Sequence, residues 1–250
     1  MKTNELAMFK PGKNDAIISL YTELANNPEK DFGWAKGVEN ARYHNYQQIW
    51  FDALPKSIWD SSAAVANPFS LGEINAGDTV LDLGCGSGVD LCVAGLMVGA
   101  QGRLIGVDIT PSMLKCAQTN LTLSGYNNFN LINGSIEQLP LPSNSIDVVM
   151  SNGVINLTES KERVFDEIYR VMRPTGAFYL ADMIRQQEVC MNEVCGDESW
   201  ADCVSGTLTS ERLLAMMQAA GFSEVELVGH SGYKTSDITI GACFRAFKKA

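Results

Sequence analysis

The stretch “TVLDLGCGSG”, Thr79–Gly88, decides the fold of this chain. Its first half is a short run of β-forming residues and its second half is a glycine-rich loop, which is typical of a parallel strand that ends at a ligand. The glycines follow the spacing G-x-G-x-G, and the next residue is Val89, so the dinucleotide spacing G-x-G-x-x-G is not met. We therefore expect an α/β fold whose first loop binds a ligand other than a dinucleotide.

Asp82 lies two residues before the first glycine of this loop. A carboxylate in that place repels a pyrophosphate but suits an ammonium group. S-adenosylmethionine carries an ammonium, a sulfonium and a carboxylate and has no phosphate, so it is the ligand that the loop favours. We expect its contacts to come from Asp82, Gly84, Cys85, Gly86 and Gly88.

Two later strand ends supply further candidate contacts. Asp108 ends “RLIGVD”, 20 residues beyond the loop, where a carboxylate accepts hydrogen bonds from both ribose hydroxyls or, alternatively, caps the next helix. Ile109 follows it and is expected beside the same group. Ser135 and Ile136, in “NGSIEQLP”, are expected to contact an adenine ring.

A third strand end, “IDVVMSNGVINL”, lies at the proposed methionine part of the cofactor. Ser151 and Asn152 are expected there because ligands bind at the carboxyl ends of parallel strands. Asn156 is a candidate contact to the acceptor. His44, in the aromatic stretch “ARYHNYQQIW”, is a candidate general base or substrate contact, or else a packing residue.

Strand-like and helix-like blocks alternate from Asp78 onward, which predicts a doubly wound, mostly parallel sheet. The strand-like blocks are “TVLDLG”, “RLIGVD”, “FNLING”, “IDVVMS”, “AFYLADM”, “EVELVGH” and “ITIGACFRAFKK”. We therefore expect a Rossmann-like α/β fold of about seven strands with helices on both faces. Residues 1–77 are aromatic-rich and mostly helical. We expect them to form a cap over the ligand edge that folds as one unit with residues 78–250.

Composition narrows the class of partner. The chain has 250 residues and a formal net charge of -10, so it lacks the basic character that binds nucleic acid or an anionic membrane. A small-molecule partner fits better. No apolar run approaches the length of a membrane span, so we expect a cytoplasmic protein. The seven cysteines are expected to be thiols. The spacing of Cys190, Cys195 and Cys203 matches no common zinc site, and no metal is expected. The oligomeric state stays open.

The segments “VLDLGCGSG”, “GVD”, “NGSIEQLP” and “IDVVMSNGVINL” resemble, in order and spacing, the class I S-adenosylmethionine-dependent methyltransferases. The longer segments “NPFSLGEINAGDTVLDLG”, “SNGVINLTESKERVFDEIYRVMRPTGAFYLADM” and “WADCVSGTL” are similar to the arsenite methyltransferase family. The resemblance implies a Rossmann-like fold, S-adenosylmethionine as the methyl donor and S-adenosylhomocysteine as its product.

In that family, cysteine thiolates from three segments hold trivalent arsenic, and the resemblance places them at Val65, Gly153 and Cys203. Only Cys203 is a thiol here, and neither valine nor glycine replaces a soft ligand. The sequence therefore predicts a methyltransferase for a small-molecule acceptor of unidentified type, with space beside Gly153 for part of it. Two alternatives stay open: metalloid or thiol methylation by Cys203 with Cys190 or Cys195, and a cofactor-binding regulator without catalysis.

Overall fold

The computed structural model describes residues 13–187 and 206–250. The helices are α1 (Lys13–Asn26), α2 (Gly37–Tyr43), α3 (Gln48–Ala53), α4 (Val89–Val98), α5 (Pro111–Leu123), α6 (Lys161–Val171) and α7 (Ser210–Ala219). The strands are β1 (Thr79–Leu83), β2 (Arg103–Asp108), β3 (Phe129–Asn133), β4 (Ile146–Asn152), β5 (Met172–Arg185), β6 (Ser223–His230) and β7 (Thr239–Phe247). Short 3-10 turns connect several of them, among them Lys56–Ser61 and Ile155–Leu157.

The strands form one sheet in the order β3-β2-β1-β4-β5-β7-β6. The first five pair in parallel, whereas β7 pairs antiparallel with both β5 and β6. The chain order reverses between β1 and β4, which makes the carboxyl edge of these two strands the expected place for a ligand. The seven-stranded, mostly parallel sheet confirms the fold that the sequence predicts.

Alternate residues of the strands point to opposite faces of the sheet, and each face has its own core. Val80 and Met150 belong to the core on the side of α4, and Leu81 and Val149 belong to the core on the side of α6 and α7. Because parallel strands are covered on both faces, they read as continuous apolar runs in the sequence. This packing leaves the carboxyl ends of the strands as the open edge.

Helix α6 illustrates how the sequence sets one covering element. The Ser160 hydroxyl accepts a hydrogen bond from the Arg163 backbone N–H at 3.4 Å and so caps the first turn. Val164, Phe165 and Ile168 recur at helical spacing and are fully buried against the sheet. The Phe165 and Phe178 rings, 6.3 Å apart, join α6 to β5.

The aromatic residues of the N-terminal segment pack into the core on the α4 side. Tyr46 meets the rings of Trp50, Trp59 and Phe69 edge to face, with centroids 5.9, 5.9 and 6.1 Å away. These rings join the cluster that contains the buried residues of α4. The aromatic-rich N-terminal cap that the sequence predicts is therefore present. The division at residue 77 stays a prediction.

None of the helices in the two described ranges is long and apolar enough to cross a lipid bilayer.

Candidate active site

A cavity of about 210 Å³ opens at the carboxyl ends of β1, β2 and β4. Its wall is completed by helix α1, residues 61–65, the start of α5 and the loop between β6 and β7. Nine of the eleven residues predicted to contact a cofactor line it: Asp82, Gly84, Cys85, Gly86, Asp108, Ile109, Ser135, Ile136 and Asn152. The sequence prediction thus brings most of its candidates into one concave site.

Two glycines of the first loop are needed for its shape. Gly84 has a φ of +66°, and a Cβ built there meets the side chain of Val154. Gly86 has a φ of +50°, nothing lies within 4 Å of a Cβ built on it, and its N–H donates to Asp108 Oδ2 at 2.9 Å. Residues other than glycine adopt this backbone region at a cost. Glycine at these two positions therefore allows the backbone of the loop to lie close to the cavity.

Asp82 is the cavity carboxylate that receives no hydrogen bond from the described residues. Its side chain is only 3% exposed and lines the cavity, and no residue in the described ranges donates to it. Burial, together with the charges of Asp90 and Asp108, raises the pKa of Asp82 well above its usual value. A cationic ligand in the cavity would supply the missing counter-charge.

Asp108 contacts the backbone just before α5 and also lines the cavity, and its contact with a ribose stays a prediction. Its Oδ1 accepts the Thr110 N–H at 2.8 Å, just before α5, and its Oδ2 accepts the Gly86 N–H. It also lines the cavity, and burial raises its pKa. Each carboxylate oxygen has a second lone pair, so the backbone contacts leave acceptor capacity toward the cavity.

Asp90 and Tyr46 line the cavity and were missed by the sequence analysis. The Tyr46 hydroxyl donates to Asp90 Oδ1 at 2.6 Å, and Asn152 Nδ2 donates to Asp90 Oδ2 at 3.0 Å. Burial raises the pKa of Asp90. The available signal was a second acid two residues after the last loop glycine, at the start of α4.

Asn152 fastens the segment before β1 to the end of β4. Its Oδ1 accepts the Val65 N–H at 2.9 Å, and its Nδ2 donates to the Ala66 carbonyl at 3.0 Å. The same amide group contacts Asp90. Asn152 therefore fixes both a carboxylate and a wall of the cavity, in addition to the cofactor contact predicted for it.

Val65 and Gly153, two of the positions where the resemblance places cysteine, lie against each other. A Cβ built on Gly153 is 4.0 Å from Val65 Cβ and 2.9 Å from Val65 Cγ2. Two cysteines at these positions would thus have a Cβ separation suited to adjacent thiols. The expectation that Gly153 leaves free space needs correction, because a methyl group of Val65 fills the place where a side chain would begin.

Four predicted site residues lie behind the cavity wall. Gly88 is the N-cap of α4, and Ser151 is buried, with its hydroxyl 3.4 Å from the Leu83 carbonyl. Asn156 is 2% exposed, and its side-chain amide finds no partner in the described structure. His44 is buried and meets Tyr233, which lines the cavity, with ring centroids 5.6 Å apart.

The His44 imidazole is neutral at neutral pH. Burial lowers its pKa to about 4, although a contact with the Ala64 backbone opposes the shift. Its Nε2 has no hydrogen-bond partner among the described residues. A neutral imidazole retains a lone pair that accepts protons, but this one reaches the cavity only past Tyr233.

The three clustered thiols, Cys190, Cys195 and Cys203, lie outside the described residues. In the ranges 13–187 and 206–250, no group of three or more His, Cys, Asp or Glu side chains is placed to hold a metal ion. Within those same ranges, no lysine, arginine or histidine lines the cavity, whereas Asp82, Asp90, Asp108 and Glu137 do. The described wall is therefore acidic.

Comparison with known proteins agrees with this arrangement. A family model described as a methyltransferase domain matches residues 74–221. The arsenite methyltransferase of Halobacterium salinarum is 38% identical over 168 residues, which cover 67% of this chain and 43% of that protein. The arsenite methyltransferase of Mus musculus is 34% identical over 158 residues, covering 60% of this chain and 42% of that protein. The chain spans less than half the length of these two relatives.

Solved structures extend the comparison to the fold. CrArsM, an arsenic (III) S-adenosylmethionine methyltransferase from Chlamydomonas reinhardtii, is 28% identical, with a TM-score of 0.68 over 81% of this chain and 73% of that chain. The [4+2]-cyclase SpnF is 14% identical, with a TM-score of 0.67 over 96% of this chain and 98% of that chain, and supports the fold alone. Because the family model covers more than half of its length and coincides with the sheet and its glycine loop, the chain belongs to the methyltransferase domain family.

Proposed function

We propose that this protein is an S-adenosylmethionine-dependent methyltransferase that acts on a small molecule and releases S-adenosylhomocysteine. The observation that carries the proposal is the buried carboxylate of Asp82, which has no hydrogen-bond partner in residues 13–187 and 206–250. It lies beside the glycine loop, inside the cavity at the carboxyl edge of the sheet. A fixed negative charge without a counter-ion is costly, and it fits a ligand that brings an ammonium group.

The other cavity residues fit the remaining parts of the same molecule. Asp108 is proposed to accept the ribose hydroxyls, with Ile109 packing beside it. Ser135 and Ile136, which line the cavity beyond β3, are proposed to contact the adenine ring. The backbone of Gly84, Cys85 and Gly86 is proposed to run along the methionine part. The parts of this chain thus match a ligand that has both polar and aromatic portions.

S-adenosylmethionine, when bound, supplies an electrophilic methyl group on a positively charged sulfur. The task left to the protein is to align the acceptor and to exclude water. The acidic wall attracts the positively charged donor. Asn152 holds residues 65 and 66 against the end of β4. His44 and Asn156 remain proposed to act on the acceptor side of the cavity. In both cases their burial makes the role an indirect one.

Methylation of arsenite or another thiophilic acceptor is the second candidate. It is favoured by the 38% identity to an arsenite methyltransferase and by the close approach of positions 65 and 153. Valine and glycine at these positions supply no thiolate. Such a site would have to be built from Cys203 with Cys190 or Cys195. We therefore place it second.

We further propose a cytoplasmic location and no nucleic-acid partner. The described cysteines Cys85, Cys92, Cys116 and Cys243 are free thiols, as expected in a reducing compartment. The net charge of -10 disfavours binding to phosphate backbones.

Transfer of a labelled methyl group tests the function directly. The protein is incubated with S-adenosylmethionine that is radiolabelled on its methyl group and with separate panels of amines, phenols, thiols and trivalent arsenic. We expect label on an organic small molecule, lost in Asp82→Asn and retained in Asp166→Asn, an exposed aspartate of α6. Label on arsenic alone would select the second candidate, and tight cofactor binding without any transfer would indicate a regulator.

A further inference from the structure

The part of the cavity next to β4 and β5 has an apolar wall. We call Val65, Gly153, Met183 and Tyr233 the acceptor wall, because all four line the cavity beyond Asn152, away from the proposed ribose and adenine contacts. Val65 and Met183 are almost fully buried. Tyr233 presents an aromatic ring, supported from behind by His44. This wall fits a molecule with an apolar or aromatic body.

The cavity holds more acidic side chains than the proposed cofactor has positive charges. S-adenosylmethionine carries a sulfonium, an ammonium and a carboxylate, hence one net positive charge. The described wall holds four carboxylates and no basic side chain. Glu137 is partly exposed and accepts the Glu159 N–H at 2.9 Å, so it is satisfied at the rim. The three buried aspartates remain.

Two of these aspartates are already assigned by the proposed function, Asp82 to the ammonium and Asp108 to the ribose. Asp90 is the third. It is held by Tyr46 and by Asn152, and Asn152 directly precedes Gly153 of the acceptor wall. Both donors are neutral, so the charge on Asp90 has no counter-ion within the described structure, and a carboxylate oxygen accepts more than one hydrogen bond.

We propose that the acceptor is an amine with an apolar body, held as its ammonium ion by Asp90 and packed against the acceptor wall. This proposal rests on the proposed function. Asp90 also takes the proton that the amine must lose: the N–H bond breaks, its electron pair stays on nitrogen as a lone pair, and the proton passes to the carboxylate. The lone pair then forms the new nitrogen–carbon bond while the carbon–sulfur bond of the donor breaks, and the electron pair of that bond stays on the sulfur of S-adenosylhomocysteine. Anionic molecules, such as phosphates, carboxylates and thiolates, are repelled by the same wall.

A matched set of probes separates the effect of the ammonium charge on affinity from the effect of the apolar body. With S-adenosylhomocysteine at saturation, the affinities of 2-phenylethylamine, 2-phenylethanol and phenylacetate are measured by calorimetry. These molecules share the ring and differ in bearing an ammonium, a hydroxyl or a carboxylate. We expect the amine to bind about tenfold tighter than the alcohol or more, and phenylacetate to bind weakest.

The variant Asp90→Asn removes the charge with little change in size. We expect it to lower amine affinity by about tenfold or more, while affinity for the alcohol and for S-adenosylhomocysteine stays within about threefold. Asp166→Asn serves as the matched control. If the variant does not fold, the probe series on the unaltered protein still tests whether the acceptor is an amine.

Several results would overturn the amine assignment. They are equal affinity for amine and alcohol, tighter binding of phenylacetate, no binding of any probe, or a loss of S-adenosylhomocysteine affinity in Asp90→Asn that places this residue at the donor. Failure of the unaltered protein to bind S-adenosylmethionine would instead overturn the proposed function. The two failures are therefore distinguishable.

Discussion

Asp182, at the end of β5, links the stability of the protein to pH. It is 1% exposed, and its oxygens accept the Met183 N–H at 2.7 Å and the Asn156 N–H at 3.0 Å. Burial raises its pKa from 3.8 to about 7, although these hydrogen bonds and the charge of Lys161 oppose the shift. The folded state therefore holds this proton more tightly than the unfolded state does.

The sign of the pH effect follows from that difference. The stabilisation from Asp182 is complete below its unfolded pKa and is lost as the pH rises through about 7. Between about pH 5 and about pH 6, the free energy of unfolding should fall by up to about 1.4 kcal/mol more in the unaltered protein than in Asp182→Asn. Urea unfolding at each pH measures this, with Asp166→Asn as control. Identical slopes in both proteins would contradict the assignment.

The contact between Val65 and Gly153 makes a second prediction for single residues. The double variant Val65→Cys with Gly153→Cys, when reduced, should gain one tight site for phenylarsine oxide, because the two Cβ atoms would lie 4.0 Å apart. Titration compares it with the unaltered protein, whose own seven cysteines give the baseline. Each single variant is the matched control. Because Gly153 has a φ of +77°, its replacement by cysteine should lower the free energy of unfolding by about 1–2 kcal/mol.

A gain of the same size in either single variant would show that the pair is not the cause. An unchanged double variant would show that positions 65 and 153 do not approach as described.

At the scale of elements, α1 is the helix whose behaviour should report ligand binding. Its residues Asn14, Ile17, Tyr21 and Leu24 recur at helical spacing and face the cavity, and Thr22 contacts Ser112 of α5 at 3.2 Å. Only Ile17 and Leu24 of this helix are buried, so its attachment is modest. A ligand that fills the space beneath it should add contacts that α1 otherwise lacks.

Hydrogen exchange measured by mass spectrometry tests this prediction. Saturating S-adenosylhomocysteine should slow the exchange of α1 amides by roughly tenfold or more. Helix α6, which packs on the sheet away from the cavity wall, provides the internal control. Equal protection of both helices would indicate general stabilisation, and no change in α1 would contradict its part in the ligand site.

At the scale of the whole molecule, the sequence predicted features that belong to short local patterns, and it missed contacts between residues far apart in the chain. The glycine loop, Asp82 and Asp108 belong to short local patterns, and the structure places them together as those patterns indicate. The hydrogen bond from Tyr46 to Asp90 joins residues 44 positions apart, and Val65 approaches Gly153 only after the sheet has formed. Such contacts depend on the topology of the fold, so no local pattern reveals them.

Burial was the other property that local patterns did not reveal. The sequence predicted His44 as a general base, substrate contact or packing residue, and Asn156 as a contact to the acceptor. In the fold, His44 packs against Tyr233, and Asn156 is a buried residue of the 3-10 turn after β4. A polar residue in an apolar stretch is thus as consistent with a buried position as with a site, and the fold decides between the two.

The central claim is that the acidic cavity binds S-adenosylmethionine through Asp82 and Asp108. Calorimetric titration with S-adenosylmethionine tests it most directly, on the unaltered protein, Asp82→Asn, Asp108→Asn and the control Asp166→Asn. We predict one site per chain, an affinity lowered by about tenfold or more in each cavity variant, and an unchanged affinity in the control. Absence of binding to the unaltered protein, or full affinity in both cavity variants, would contradict the account.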